Sequence, residues 1–468
     1  MDKDAYIKRL EEENAVLRKR ITMLEKRIEE LERLLGMNSR NSSRPPSSDP
    51  PGLSVALPRR LRRKKRGAKN GHQPFMMELS PPEKVTHRLQ MRPQVCRCGS
   101  TNLEETQKEP LRHQTIDVPP IEPEVTEYIQ PIYRCKDCGE FVYQPLSDEV
   151  KRKHFGPGVL AVVAVLTGML DTSKRKALAM MNEVFSVPMS LGALSNCEAQ
   201  LAEVLEQPYN ETLEYVRGQA VAYADETGWP KGNRQKGWLW ALVSGGAAVF
   251  MVHAQRGQEA ARKLLGAFCG VLVSDRWGGY NFFCGIRQLC WAHLKRDFKA
   301  ISEAKGTIGK AGQELYGLAK KILKLRKRVR DGTLQWRTFQ KRMMPLMNSV
   351  EELLERAANG KYAFSGKCRR ILKHRKHLWT FVHDQTVEPT NNMAERGVRQ
   401  GVLWHKGSFG TQSERGARYV ERILTACATC RLQGRSVIEY LRDVCRCHLD
   451  GIPAPSLIKT ADGLAKSA

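Results

Sequence analysis

The chain has 468 residues, with 77 Lys and Arg against 50 Asp and Glu, a formal net charge of +27. That length excludes a single small domain and suits about three folded units of roughly 100–200 residues each; the charge favours a polyanionic partner, nucleic acid ahead of an anionic membrane surface. No apolar run reaches the roughly 18 residues of a membrane span, and the charged start Met1-Asp2-Lys3-Asp4 lacks a secretory h-region, so no membrane and a cytoplasmic location are expected. Thirteen cysteines without a secretion signal argue against a disulfide scaffold and for metal ligation or burial.

Ile7, Asn14, Ile21, Ile28 and Leu35 recur every seven residues beside Leu10, Leu17, Leu24 and Leu31. These are a and d positions of a coiled coil over 1–36; Ile at a with Leu at d favours two strands, and Asn14 fixes register, so a homodimer or higher oligomer is expected. Residues 37–79 read as a Ser/Pro-rich and basic linker. Its run Arg59, Arg60, Arg62, Arg63, Lys64, Lys65, Arg66 and Lys69 is too charge-dense for a core and suits phosphate contacts. Residues 80–150 carry Cys96-Arg97-Cys98-Gly99 and Cys135-Lys136-Asp137-Cys138-Gly139, two thiol pairs each followed by glycine, which resemble zinc-ribbon knuckles. One structural Zn2+ on Cys96, Cys98, Cys135 and Cys138 is expected, although the first pair is CxC rather than CxxC. Residues 156–205 have helical periodicity, either a helix-turn-helix that enters DNA or a support for the domain C-terminal to it.

From Gln219 the period changes. Gln219 to Asp225 reads as a strand ending in an acid, Gly237 to Ser244 and Ala247 to His253 as a hairpin turning at Gly245-Gly246, Gln258 to Phe268 as a helix, and Val271 to Ser274 as a short buried strand before Asp275. This α/β order makes Asp225 and Asp275 neighbours if the fourth strand pairs beside the first. Adjacent carboxylates repel unless a divalent cation neutralises them. Glu395, early in a helix that Thr390 or Asn391 can cap, is the candidate third carboxylate of a two-Mg2+ site for phosphodiester transfer.

These segments resemble the bacterial DDE transposases of the insertion sequence 66 family over nearly the whole chain. Asp225-Glu226-Thr227, Ser274-Asp275 and Asn391-Asn392-Met393-Ala394-Glu395-Arg396 are similar to the family's first, second and third catalytic segments, and Cys290-Trp291-Ala292-His293 to the helix that follows the second. The resemblance implies an RNase H-like mixed-sheet catalytic domain over 215–440, with a C-terminal segment 441–468. It also implies Asp225, Asp275 and Glu395 as the triad holding two Mg2+, with Mn2+ as a substitute. The expected partners are double-stranded DNA, both element ends and target, and helper proteins encoded by the same element; nucleoid association is expected with them. The alternatives are a catalytically silent DNA-binding regulator and a structure-selective nuclease of the same fold.

The 120 residues between Asp275 and Glu395 imply a helical insertion over 301–385, rich in Lys and Arg on its outer face. Glu226 should point away from Asp225 on an extended strand and serve as a structural acid. His293 is a candidate for catalytic support, against a packed histidine on a half-apolar helix. Arg396 and Lys406 are candidate DNA contacts; Trp404, Lys406 and Phe409 suit a frayed DNA end or packing on the sheet, with equal weight. Cys427, Cys430, Cys445, Cys447 and His448 fall in helices without knuckle glycines and read as core residues rather than a second zinc site.

Overall fold

The computed structural model describes residues 3–35, 78–147, 150, 154–232, 235–304, 306–360 and 364–458. The basic run from Arg59 to Lys69 lies outside the described residues. The chain divides into two compact units, residues 51–122 and residues 1–50 with 123–468. Among the described residues no helix is long and apolar enough to cross a membrane.

Of the unit 51–122, the described residues 78–122 carry one 3-10 turn at Pro82–Lys84 and no other helix or strand. Ser80 and Gln114 hold two distant segments together: Ser80 N–H donates to Gln114 Oε1 (2.7 Å) and Gln114 Nε2 to the Ser80 carbonyl (3.1 Å). Cys96 to Gly99 form a tight turn, closed by Gly99 N–H to the Cys96 carbonyl and Cys96 N–H to the Ser100 carbonyl, both 2.8 Å.

The other unit opens with helix α1 (Lys3–Leu35). Leu17, Ile21, Leu24, Ile28 and Leu31 are 45–56% exposed on it, so the single chain leaves these heptad positions uncovered. Strands β1 (Tyr133–Arg134) and β2 (Phe141–Val142) form a short antiparallel hairpin around Cys135, Cys138 and Gly139. The next, helical region comprises α2 (Pro157–Ala164, extended by a π-turn at Val165–Met169), α3 (Lys174–Glu183), α4 (Leu191–Val204) and α5 (Glu206–Arg217). Ser190 caps α4, its side chain accepting from Ala193 N–H at 3.1 Å.

A five-stranded sheet comes after α5, built from β3 (Val221–Lys231), β4 (Gln235–Val243), β5 (Ala248–His253), β6 (Val271–Ser274) and β7 (Arg287–Leu289) in the order β5-β4-β3-β6-β7. β3 runs antiparallel to β4 and parallel to β6, and β6 parallel to β7, so the sheet is mixed. Helix α6 (Gln258–Leu265) makes the crossover from β5 to β6 and ends at Gly266, whose positive φ of 51° terminates it three residues short of the sequence expectation. Side-chain alternation divides the sheet into two buried faces. Tyr223, Trp229, Leu239, Val243, Phe250 and Val273 enter one core, whereas Ala222, Ala224, Trp240, Leu242 and Leu272 enter another with α6.

The first core is shared by helices on both sides in sequence. α7 (Trp291–Ser302), α8 (Gly306–Arg330) and α9 (Trp336–Asn359) pack successively, and α8 and α9 with α10 (Ser365–Leu372) and α11 (Thr380–His383) occupy the stretch 301–385. Their buried stripe is Leu315, Ala319, Ile322, Phe339, Met343 and Val350 at helical spacing. α12 (Asn392–Ser408) then crosses β3 and β4, and Gly401 permits the approach, because a Cβ there would collide with the Leu239 side chain. α13 (Glu414–Leu432) lies along β5, and α14 (Val437–Leu449) packs on α2.

Both sheet margins are covered by side chains. Glu421, Thr425 and Thr429, one helical turn apart on α13, accept hydrogen bonds from the N–H groups of Val252 (2.7 Å), Phe250 (3.1 Å) and Ala248 (3.1 Å) on β5. At the other margin Thr380 Oγ1 donates to the Arg287 carbonyl of β7 at 2.6 Å. Edge donors and acceptors that would otherwise face another chain are thereby satisfied.

Candidate active site

The strand carrying Asp225 does not end there: β3 continues to Lys231 against β4, while its pairing with β6 stops at Tyr223 opposite Val273. That register, Val221 with Val271 and Tyr223 with Val273, is an offset of fifty residues, the same separation as between Asp225 and Asp275, which both lie beyond the paired stretch. Asp225 thus lies within β3 and Asp275 directly after the last residue of β6, close enough for the Asp275 charge to bear on the Asp225 carboxyl. Trp277 N–H donates to Asp275 Oδ1 at 2.9 Å and orients that carboxylate. The Asp225 carboxyl is pushed well above the usual range, first by burial and then by the charges of Glu226, Asp275 and Glu395.

Glu395 enters from α12. Asn391 stands at the head of this helix, as the sequence suggests, but its side chain caps nothing. It is fully buried and donates from Nδ2 to the Ala224 carbonyl of β3 at 2.8 Å, one residue before Asp225. Its backbone N–H points to Cys290 Sγ at 3.2 Å, and the Trp291 N–H donates to the Pro389 carbonyl at 2.8 Å, so the starts of α7 and α12 are tied together beside β3.

His293, in the first turn of α7, has Nδ1 3.5 Å from Glu395 Oε1, and Arg296 Nη2 is 3.9 Å from the same oxygen. Burial, then the Arg296 charge, lower the His293 pKa and keep the imidazole neutral at neutral pH. Glu395 Oε1 and His293 Nδ1 are both buried and have no hydrogen-bond partner among the described residues. The Cys290 thiol, pushed by burial up to about 12, completes this corner. Asp225, Asp275 and Glu395 are carboxylates whose charges bear on one another, the donor type a hard divalent cation takes.

Glu226 faces the other side of the sheet. Only 2% of its side chain is exposed; Oε1 accepts from Arg256 Nε (3.0 Å) and Nη2 (2.7 Å), and Oε2 accepts from Tyr280 (2.8 Å). The Arg256 guanidinium lies between the rings of Trp238 (4.9 Å) and Trp277 (4.8 Å). Glu226 thus anchors, through Arg256, the tryptophan whose N–H holds Asp275.

Glu395 opens onto a cleft of about 340 Å³ whose cations are Arg330, Arg396 and Arg399. Arg396 is exposed, as is Lys406 one face further along α12. Of the aromatic pair near the end of that helix, Trp404 is core, edge-on to Trp229 (6.4 Å) and Tyr419 (6.2 Å), whereas Phe409 is 77% exposed at a left-handed φ of 60°. Arg330, Arg399 and Arg296 escape sequence reading because charged helical residues look alike; Asn391 could have been noticed as one of two adjacent asparagines immediately before the Glu395 helix. Cys427, Cys430 and Cys445 are fully buried among apolar side chains.

The two cysteine pairs share a local design. In the second, Gly139 N–H donates to the Cys135 carbonyl (3.0 Å) and Cys135 N–H to the Glu140 carbonyl (2.7 Å), the same closure as at Cys96 with one residue more. Gly99 and Gly139 have φ of 88° and 79°. Hydrogen bonds from the Cys98 backbone to Cys96, and from the Cys138 and Asp137 backbone to Cys135, lower those thiols, as a metal-binding thiolate needs.

A mixed sheet with one acid on a central strand, a second directly after the neighbouring parallel strand and a third brought by a helix is the setting of a carboxylate-based site. The model of the Transposase IS66 family matches residues 152–419, more than half of the chain, and the chain belongs to that family. The zinc-finger binding domain of transposase IS66 matches residues 93–139, spanning both cysteine pairs, and a family of unknown function matches residues 2–76. Among curated relatives, the uncharacterized protein y4qI of Sinorhizobium fredii (strain NBRC 101917 / NGR234) is 26% identical over 304 residues, covering 58% of this chain and 56% of that one. From the same organism, uncharacterized y4jD is 22% identical over 71% of this chain and 70% of its own, and uncharacterized y4hP 23% identical over 74% and 69%.

Proposed function

We propose that the chain is a DDE transposase that binds double-stranded DNA at the ends of its element, cleaves there and joins the freed 3′ ends to target DNA. One observation carries the reading: Asp225 on β3 is buried, and the charges of Asp275, directly after the parallel strand β6, and of Glu395 on α12 both bear on its carboxyl. The strand order, with Asp225 on the central β3 and Asp275 directly after the adjacent β6, supports an RNase H-like domain over 215–440 interrupted by the helical insertion. In this reading Asp225, Asp275 and Glu395 hold the catalytic cations. Bound there, Mg2+ or Mn2+ supplies charge neutralisation and Lewis acidity for in-line attack on a phosphodiester.

The remaining work falls to the chain's own groups. Asn391 fixes the Glu395 helix to β3, and the neutral His293 and Arg296 restrain the Glu395 carboxylate. Arg330, Arg396 and Arg399 receive phosphates around the cleft, with Lys406 and the linker run from Arg59 to Lys69 adding sequence-independent contacts. Exposed Phe409 offers a stacking surface for a frayed base. Water and then the DNA 3′-hydroxyl are the nucleophiles, so no side chain is consumed. The zinc-finger match and the paired knuckle turns support structural Zn2+ on Cys96, Cys98, Cys135 and Cys138. The uncovered heptads of α1 support a homodimer, and companion proteins of the element belong in the assay.

The test is strand cleavage and joining on labelled DNA from the element's own ends, with and without Mg2+, comparing wild type, Asp225→Asn and Glu395→Gln. Metal-dependent products lost in both variants, with DNA binding retained, are expected. Cleavage that never proceeds to joining would make the chain a nuclease, and binding without products a regulator.

A further inference from the structure

We infer that Cys290, His293 and Glu395 form a second cation site, selective for a thiophilic divalent ion such as Zn2+, and that its occupation withdraws Glu395 from the carboxylate set. The consequence rests on the proposed role of Glu395; the site itself does not. Cys290 Sγ, a His293 ring nitrogen and a Glu395 carboxylate oxygen all lie within 4.8 Å of one another. The C-x-x-H spacing accounts for two of the three, since Cys290 precedes the first residue of α7 and the His293 N–H donates back to its carbonyl at 3.1 Å. The third arrives on α12, whose head is held against Cys290 by the Asn391 N–H.

The donor types decide which ion fits. Ligand atoms around a tetrahedral zinc stand roughly 3.3–3.6 Å apart, so this cluster needs a contraction of about 1.5 Å at most. His293 Nδ1 and Glu395 Oε1 already face each other at 3.5 Å, both buried and without hydrogen-bond partners among the described residues. Mg2+ takes oxygen donors and leaves a thiol aside, whereas sulfur with imidazole selects zinc-like ions. The two sets share only Glu395, so one carboxylate cannot serve both fully. Binding releases the Cys290 thiol proton to solvent, and the metal–sulfur bond replaces the S–H bond with no redox change.

Co2+ is the probe, titrated into the full chain carrying a single equivalent of Zn2+, enough for the four-cysteine set alone. Wild type should take up one more equivalent than Cys290→Ser or His293→Asn, accompanied by a thiolate-to-cobalt charge-transfer band that both variants lack. Serine is itself a good residue at a helix start, and the asparagine variant gives a second reading if the first folds poorly. Equal uptake and an equal band in all three proteins would overturn the site. In the second arm, Zn2+ added to Mg2+-driven cleavage should inhibit wild type, and Cys290→Ser should need at least about tenfold more. Equal inhibition would overturn the consequence, while a cobalt signal in a chain with no cleavage would refute the transposase reading and leave the site standing.

Discussion

Replacing Asp225 with Asn should make the Mg2+-free protein more stable while abolishing its chemistry. The Asp225 carboxyl is raised by burial and by three neighbouring carboxylates. Neighbouring strands stand roughly 5 Å apart. At an effective dielectric of about 20, two like charges at that distance repel by about 3 kcal/mol. Protonation of Asp225 already relieves part of this, so asparagine should gain about 1–3 kcal/mol, a rise of a few degrees in Tm for a chain of this size. Because the folded-state pKa lies above the unfolded one, wild-type stability declines as pH rises past the ordinary carboxylate range, and the gain should be larger at pH 8 than at pH 5. Mg2+ should reverse the ranking, since an ion bound only to the folded state adds about 2.7 kcal/mol at one hundred times its Kd. Calorimetric melts of both proteins at the two pH values, with and without Mg2+, decide the matter. A variant less stable than wild type at pH 8 without Mg2+, or one that Mg2+ stabilises equally, would refute the reasoning.

Arg256→Ala should destabilise the protein by about 3 kcal/mol in urea unfolding, because buried Glu226 loses its ion pair, and Arg256→Lys should restore little without the planar fork and stack; full recovery by lysine would argue against the stacked geometry. Glu421 is raised by burial to about 7 while accepting from the Val252 N–H. Its contribution is present below the ordinary carboxylate pKa and lost as pH rises through 7, so Glu421→Gln should shrink the stability difference between pH 5 and pH 8 by about 2 kcal/mol, and parallel pH profiles would contradict this. Asn391→Asp sets a carboxylate against the Ala224 carbonyl and should slow cleavage at least about a hundredfold with helix content unchanged by circular dichroism; wild-type rates would show that the tie does not position Glu395.

The elements legible in the sequence were those that short-range chemistry decides. Two apolar runs around Gly245-Gly246 became β4 and β5, and the four apolar or small residues Val271 to Ser274 became β6, because alternation and turn residues act locally. The end of β3 was misjudged: an acid looks like a strand's end, yet antiparallel pairing with β4 carries the strand six residues further. Strand β7 is Arg287-Gln288-Leu289, whose polar residues resemble surface although Arg287 and Gln288 are buried through bonds to Asn281, Ser274 and Leu378. Asn391 looked like a helix cap for the same reason; its true partner is 167 residues away, and no local pattern encodes it.

The sealed margins of the sheet bear on how copies of this chain can meet. A protein gathered several at a time onto one DNA molecule experiences a high local concentration of itself, the condition under which open strands zip together irreversibly. Here the three outward N–H groups of β5 are already taken by α13, and the carbonyl of Arg287 by Thr380. Pairing through the β5 edge is thereby closed to a second copy, and the sheet that carries Asp225 keeps its own strand order however many copies lie close by.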